Sequence, residues 1–374
     1  MIRKNRLIGL TQKLIRINSE NPPGNESRIA EFVAAYLKNC GITTRIYSFK
    51  NGRPNVLAYL GGINSKYSLL ITPHLDTVPA GKNWKFSPFS GTIHKGRIYG
   101  LGATDCKGNL ACAMEAMQSL REENVKLPYR LIFAATADEE SGSGLGLIPL
   151  LDKGILKPSA AVVLDSDEFD IIVTQKGLIH VKVKVFGKRS HGAYPWRGVN
   201  AIDSAIEIIK EIKSHKFPHK RNRYLRGPTI NVGTIQGGDK VNIVADWCEF
   251  ELDFRFLPGM SAGYLLARLK SALKKHAKKF EIEIEGIQQP YRIKETHALV
   301  TNLMKGMKKA GVSCGIKGSE GATVITFFQD KFIPAVATGF GSSGCAHSAN
   351  EYVKINNLYK GAGALEEFLK KWKG

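Results

Sequence analysis

The apolar run at 129–137 (Tyr129-Arg-Leu-Ile-Phe-Ala-Ala-Thr-Ala137) ends in two adjacent carboxylates, Glu139 and Glu140, directly after Asp138. A largely apolar run of this length predicts a sheet strand covered on both faces and, with the run at 68–72 and the helices between, an α/β layer architecture. Such a strand should end in turn residues, because neighbouring like charges repel. The pair becomes tolerable beside a cation. The chain carries other side chains able to share that cation: His74 and Asp76 in Thr72-Pro-His-Leu-Asp-Thr-Val-Pro79, then Asp105, Asp165 and His347. Together they are the raw material of a two-metal hydrolytic site.

At 374 residues, two domains are the default. Helices are predicted near 4–17, 25–39 and 107–122, and strands at 43–49, 54–60, 68–73, 129–137 and 160–165. From about Gly177 the pattern changes to strict alternation (178–186), the mark of an antiparallel strand with one wet face. A helix near 199–213, strands at 229–235 and 243–256, a helix at 261–279 and a strand at 280–285 complete a βαββαβ order, that of a ferredoxin-like unit. The α/β pattern then resumes with a helix at 296–310, a strand at 332–338 and a final helix at 356–372. The expected fold is a mixed-sheet α/β catalytic domain, 1–175 and 288–374, interrupted by an inserted ferredoxin-like domain, 176–287.

In open α/β sheets, sites form at the carboxyl ends of strands. His74 and Asp76 follow the 68–73 strand, Glu139 and Glu140 the 129–137 strand, Asp165 ends the 160–164 strand, and His347 comes after 332–338. Asp105 sits in the glycine-rich turn Gly100-Leu-Gly-Ala-Thr-Asp-Cys-Lys-Gly108 before a helix, where glycines allow unusual backbone angles. Singly, each of these residues is more often structural or superficial. Their joint placement at one sheet edge reverses that preference. Imidazole and carboxylate without thiolate suit Zn²⁺, Co²⁺ or Mn²⁺, two ions per subunit. Asp105 is the bridging candidate, with His74 and Asp165 on one ion and Glu140 and His347 on the other. Asp76 is placed to orient the His74 imidazole, and Glu139 to act as general base.

The chain has 54 lysines plus arginines against 33 acidic residues, a net +21. Without a nucleic-acid motif this reads as a solvated basic surface that can gather anionic small molecules. No run reaches the roughly 20 apolar residues that cross a bilayer. The amphipathic first helix is interrupted by Gln12, Lys13 and Arg16 and lacks the form of a signal peptide, so the expected location is the cytoplasm. Six scattered cysteines with no CxxC pair fit reduced thiols.

The segments 73–79, 100–108, 138–140 and 346–351 resemble, in order, the signature segments of the M20 metallopeptidases. That family includes acetylornithine deacetylase, succinyl-diaminopimelate desuccinylase, aminoacylases, carboxypeptidases and di- and tripeptidases. The resemblance implies the same metal and base roles reached above, an inserted domain that forms a homodimer, and a cis peptide after Asp105. It also implies that His191, in Gly187-Lys-Arg-Ser-His-Gly-Ala-Tyr-Pro195, reaches the partner subunit's site and holds the developing oxyanion. Asn242 and Arg255 would touch substrate carboxylates. Three positions depart from the pattern. Asp165 stands where biosynthetic deacylases carry Gly-Glu-Pro, Gly318-Ser-Glu-Gly-Ala-Thr-Val324 lacks an acidic residue that some relatives place after the glycine-threonine turn, and Cys106 replaces a common methionine. The expected activity is hydrolysis of the amide bond of a small N-acyl amino acid. The alternatives are a carboxypeptidase or dipeptidase of the same family and, from another class, a basic nucleic-acid-binding protein on a retired hydrolase fold.

Overall fold

A computed structural model of the protein describes residues 1–62, 65–166 and 168–373. The chain forms two compact units. One comprises Met1–Val173, Ile293–Lys317 and Thr323–Gly374; the other comprises Thr174–Arg292 and Gly318–Ala322. The short stretch Gly318–Ala322 lies with the second unit, where Glu320 takes the Lys176 ammonium at 2.6 Å and the Arg226 N–H at 2.8 Å.

The first unit is built on a mixed sheet. Its strands run in the order Thr43–Ser48, Pro54–Gly61, Arg130–Ala135, Ser68–Thr72, Ala160–Leu164, Ala335–Thr338 and Ile171–Gln175, the last carrying the chain out of the unit. Ser68–Thr72 pairs in parallel with both Arg130–Ala135 and Ala160–Leu164, and Ala335–Thr338 pairs in parallel with Ala160–Leu164. Four central strands therefore deliver their carboxyl ends to one edge. Their residues are almost wholly buried, as strands covered on both faces must be. The helix Lys107–Glu122 is buried at nearly every position and packs on Lys4–Arg16 and Ile355–Lys371. It can start where it does because residue 108 is glycine: a Cβ there would sit 2.3 Å from the Ala103 carbonyl oxygen.

The second unit is a four-stranded antiparallel sheet in the order Thr229–Gly237, Trp247–Phe256, Gly177–Phe186, Lys279–Gln288, with helices Ala201–Ser214 and Ala262–His276. Ile179, Val181, Val183 and Val185 alternate into the core with Phe250, Phe254, Leu265 and Leu269. Burying each such side chain contributes about 1.5–3 kcal/mol. The intervening positions face water, where Lys182 pairs with Glu249 across strands at 3.1 Å. Element order and pairing are those of a ferredoxin-like βαββαβ unit. Among the described residues, no helix is long and apolar enough to cross a membrane.

Candidate active site

His74 follows the Ser68–Thr72 strand, held by a bridge to Thr136, and is 2% exposed. Its Nδ1 faces the Asp76 carbonyl oxygen at 3.0 Å and the Asp76 carboxylate at 3.5 Å. This leaves Nε2 directed at Asp105 Oδ1, 2.9 Å away, with Asp165 Oδ1 at 3.8 Å. The other oxygen of Asp105, Oδ2, lies 3.1 Å from His347 Nε2, which in turn is 3.3 Å from Glu140 Oε2. Asp105 thus offers one carboxylate oxygen to each of two clusters. The donor atoms of His74, Glu139 and Asp165 lie within 4.8 Å of one another, as do those of Asp105, Glu140 and His347.

Local backbone explains the placement. Asp138 and His347 adopt left-handed conformations (φ 66° and 57°), which turn the chain sharply at the sheet edge. The Asp105–Cys106 peptide is cis. Asp76 Oδ1 accepts the Glu139 N–H and Asp76 Oδ2 the Glu140 N–H, each at 3.1 Å, so one buried carboxylate both faces the imidazole and holds the acidic turn. Cys106 is fully buried and its sulfur accepts the His74 N–H at 3.1 Å. Burial pushes its thiol up to about 12, and its sulfur lies with the His74 and Asp105 donor atoms within 4.8 Å.

The electrostatics describe a pocket short of positive charge. Burial raises Glu139 well above the usual carboxyl range, reinforced by Asp165, Glu140 and Asp105. Asp165 is raised by burial and by Asp105. Hydrogen bonds that the His347 imidazole donates to Asp105 and Glu140 lift it to about 10. Burial opposes charge on His74, yet Cys106, Asp105, Asp165 and Asp76 outweigh it and carry that imidazole well above its ordinary value. Glu139 and Asp165 thus retain protons more readily and both imidazoles gain them, while His347 and His74 hold Asp105 well below the usual carboxylate range against its burial; a cation would take over the charge the imidazoles now supply. Glu140 Oε1 fits the same need: it is buried and has no hydrogen-bond partner among the described residues.

Two residues that shape the site were not among the candidates the sequence offered. Glu351 is buried, and its carboxylate accepts the N–H groups of Gly102 (2.9 Å), Thr104 (2.7 Å) and Asp105 (2.9 Å), so it fixes the turn that presents Asp105. It ends the segment 346–351, but only tertiary distance reveals its partners. Asn109 ties two edges of the site, donating to the Ser166 carbonyl and accepting from the Phe340 N–H.

In the second unit, His191 and Asn242 lie side by side. His191 bridges Ile243, and the Gly192 N–H donates to the Asn242 carbonyl at 2.8 Å. The exposed His191 accepts the Ala193 N–H through Nδ1 at 3.0 Å, which leaves Nε2 free of that bond. The Arg255 guanidinium is engaged by the Asp253 carboxylate through contacts of 2.8, 3.1 and 3.0 Å. It must leave that partner, or share it, to take a substrate carboxylate.

Carboxylates and imidazoles gathered in two linked clusters at the carboxyl edge of a mixed α/β sheet form a candidate divalent-cation pocket, an arrangement suited to a metal-dependent hydrolase. Comparison with known proteins gives the same class. The profile of Peptidase family M20/M25/M40 matches residues 70–371. Acetylornithine deacetylase of Vibrio atlanticus is 29% identical over 370 residues, covering 95% of each chain. A tripeptidase from Staphylococcus aureus shares the fold with a TM-score of 0.83 at 24% identity, covering 99% of this chain and 98% of that one. An M20 metallo-carboxypeptidase from Sulfolobus solfataricus shares it with a TM-score of 0.80 at 24% identity, covering 97% and 98%. The protein belongs to Peptidase family M20/M25/M40 and is a hydrolase.

Proposed function

We propose that the protein hydrolyses the amide bond of small N-acyl amino acids, as a deacylase of the acetylornithine deacetylase and succinyl-diaminopimelate desuccinylase type. The observation that carries this reading is the split use of Asp105, one oxygen 2.9 Å from His74 Nε2 and the other 3.1 Å from His347 Nε2. His74 and Asp165 would hold one ion, Glu140 and His347 the other, and Asp105 both. The nitrogen–oxygen donor set suits Zn²⁺ first, with Co²⁺ and Mn²⁺ as substitutes. When bound, such an ion pair polarises the scissile carbonyl and acidifies the attacking water. Asp76 fixes the imidazole tautomer by facing Nδ1, so that Nε2 is the ligating atom. Glu139 takes the proton from the attacking water and delivers it to the leaving nitrogen, from a carboxylate whose donor atom lies within 4.8 Å of those of His74 and Asp165.

The second unit supplies the rest of the reading. His191 of a partner subunit would donate to the developing oxyanion, and Asn242, with Arg255 once released from Asp253, would hold the substrate carboxylate. Exposed apolar side chains support a homodimer through this unit: Trp196 is 74% exposed, and Tyr194, Val199, Ile206 and Val241 are also exposed. The reading carries no nucleic-acid or membrane partner and a cytoplasmic location.

A true carboxypeptidase or dipeptidase is the second reading, and Asp165 favours it. Aspartate is one methylene shorter than the glutamate the biosynthetic deacylases carry there, and it goes with peptidase-like members. One panel separates the two. Purified protein is supplied with Zn²⁺, Co²⁺ or Mn²⁺ and offered N-acetyl amino acids, N-succinyl amino acids and dipeptides. The deacylase reading requires the N-acyl substrates to have the highest kcat/KM; dipeptides leading the panel would replace it with the second reading.

A further inference from the structure

Behind the Glu139–Glu140 turn lies a buried chain of polar side chains that the reaction above does not use: Glu26, Arg53, Asp138 and Asn21, ending on Asp76. Arg53 grips Glu26 with two contacts, Nε to Oε2 at 2.6 Å and Nη2 to Oε1 at 2.9 Å. The same Nη2 reaches Asp138 Oδ1 at 2.7 Å. Asp138 Oδ2 accepts the Leu145 N–H at 2.9 Å. Asn21 donates to Asp76 Oδ2 at 2.9 Å and lies 3.4 Å from Asp138 Oδ1. Room for the guanidinium is made by Gly24, where φ is +76° and a Cβ would fall 2.4 Å from the Arg53 side chain.

A buried ion pair of this kind is weak evidence for stability, since apolar replacements of similar volume often do as well. Its geometry points elsewhere. Arg53 opens the Pro54–Gly61 strand and Glu26 precedes the Ser27–Asn39 helix, both rigid elements of the first unit. Asp138 is the left-handed residue immediately before Glu139. A planar guanidinium spanning two carboxylates fixes distance and direction together, which a point charge cannot do.

We propose that Arg53 is a positioning residue for the reaction: by tying Asp138 to Glu26 it sets the left-handed turn, and with it the direction in which Glu139 enters the pocket. Asp76, steadied by Asn21, holds the same turn from its other side through the two backbone N–H groups. Glu139 sits at the first residue of a single 3₁₀ turn, Glu139–Ser141, closed by the Gly142 N–H on the Glu139 carbonyl at 3.0 Å and the Ser143 N–H on the Asp138 carbonyl at 2.6 Å, so its orientation relative to the sheet edge depends on how the Asp138 side chain is held. The proposal rests on Glu139 being the general base.

The test is Arg53→Lys, which keeps the charge but cannot reach both carboxylates in the same geometry. In the metal-free protein, amide exchange of the segment 138–146 should accelerate roughly tenfold or more, because the turn is no longer held. In the metal-loaded protein, kcat should fall roughly 10–100-fold while KM stays within about threefold and metal content is unchanged. Introduced into a Glu139→Gln background, Arg53→Lys should change the residual turnover by less than about twofold. Unchanged exchange, unchanged kcat, or an equal loss in both backgrounds overturns the proposal. If the wild-type protein cleaves no amide in the panel, the functional reading fails, while the exchange measurement still decides whether Arg53 holds the turn. Should Arg53→Lys fail to fold, Glu26→Gln, which weakens the grip on Arg53 and leaves the Asp138 bonds to Leu145 and Asn21 in place, carries the same measurements with the same outcomes.

Discussion

Replacing Glu139 by glutamine isolates proton transfer from everything else the site does. The glutamine side chain has nearly the same volume, and the residue 139 N–H still reaches Asp76 Oδ1, so the turn persists. The charge removed is one that Asp165, Glu140 and Asp105 repel, so the metal-free protein should be no less stable, and its Tm equal or higher. What is lost is general acid–base catalysis, a factor of roughly 10²–10⁴, or about 2.7–5.4 kcal/mol of transition-state stabilisation at about 1.36 kcal/mol per tenfold. Turnover on the best substrate of the panel, elemental analysis and a thermal melt measure the three quantities on one preparation. The expected result is a kcat lowered by that factor, KM within a few-fold, two ions per chain and an unlowered Tm. A kcat within tenfold of wild type would remove Glu139 as the base. Loss of one ion would make it a ligand, a role open to it because its carboxylate lies within 4.8 Å of the His74 and Asp165 donor atoms.

Glu351→Gln tests the support under Asp105 through pH. Burial raises the Glu351 carboxyl from 4.5 to about 7, against the backbone N–H groups that lower it. A raised acid contributes stability that is complete below its unfolded value and lost as pH climbs to the folded one. In the metal-free protein, the Tm of wild type relative to Glu351→Gln should therefore fall between pH 4.5 and about 7; a flat or rising difference refutes the assignment. His191→Ala should lower kcat roughly a hundredfold with metal content unchanged, the expected size for one oxyanion donor. An unaltered kcat would mean the second unit does not complete the site.

Long elements were legible because periodicity accumulates over many residues. The helix predicted at 107–122 is Lys107–Glu122, and that at 4–17 is Lys4–Arg16. Strand ends were less so. The strand predicted from 332 begins at Ala335, because Phe332 is left-handed and Pro334 cannot donate to a ladder. The strand predicted from 243 begins at Trp247, because Ile243 and Val244 spend their backbone on the Ser190–His191 segment. The three-residue strands Thr92–His94, Arg97–Tyr99 and Tyr352–Lys354, and the buried Ile171–Gln175, were not anticipated. Three residues carry too little pattern to register, and a short wholly buried strand has no alternation. At the site, the residue types and their positions after strands were visible in the chain. The supports were not. Arg53 and Asp138 are 85 positions apart, and Glu351 lies 246 from Asp105; Asp138 and Glu351 stand in the segments 138–140 and 346–351, but nothing local names the partners they take.

The central claim is that His74, Asp105, Glu140, Asp165 and His347 hold two divalent ions, with Asp105 shared between them. Elemental analysis of protein stripped with chelator, reloaded with Zn²⁺ and desalted tests it most directly when wild type and Asp105→Ala are measured together. The account predicts two ions per wild-type chain and fewer than one in the variant. Wild-type protein that retains no ion, or a variant that keeps both, would contradict it.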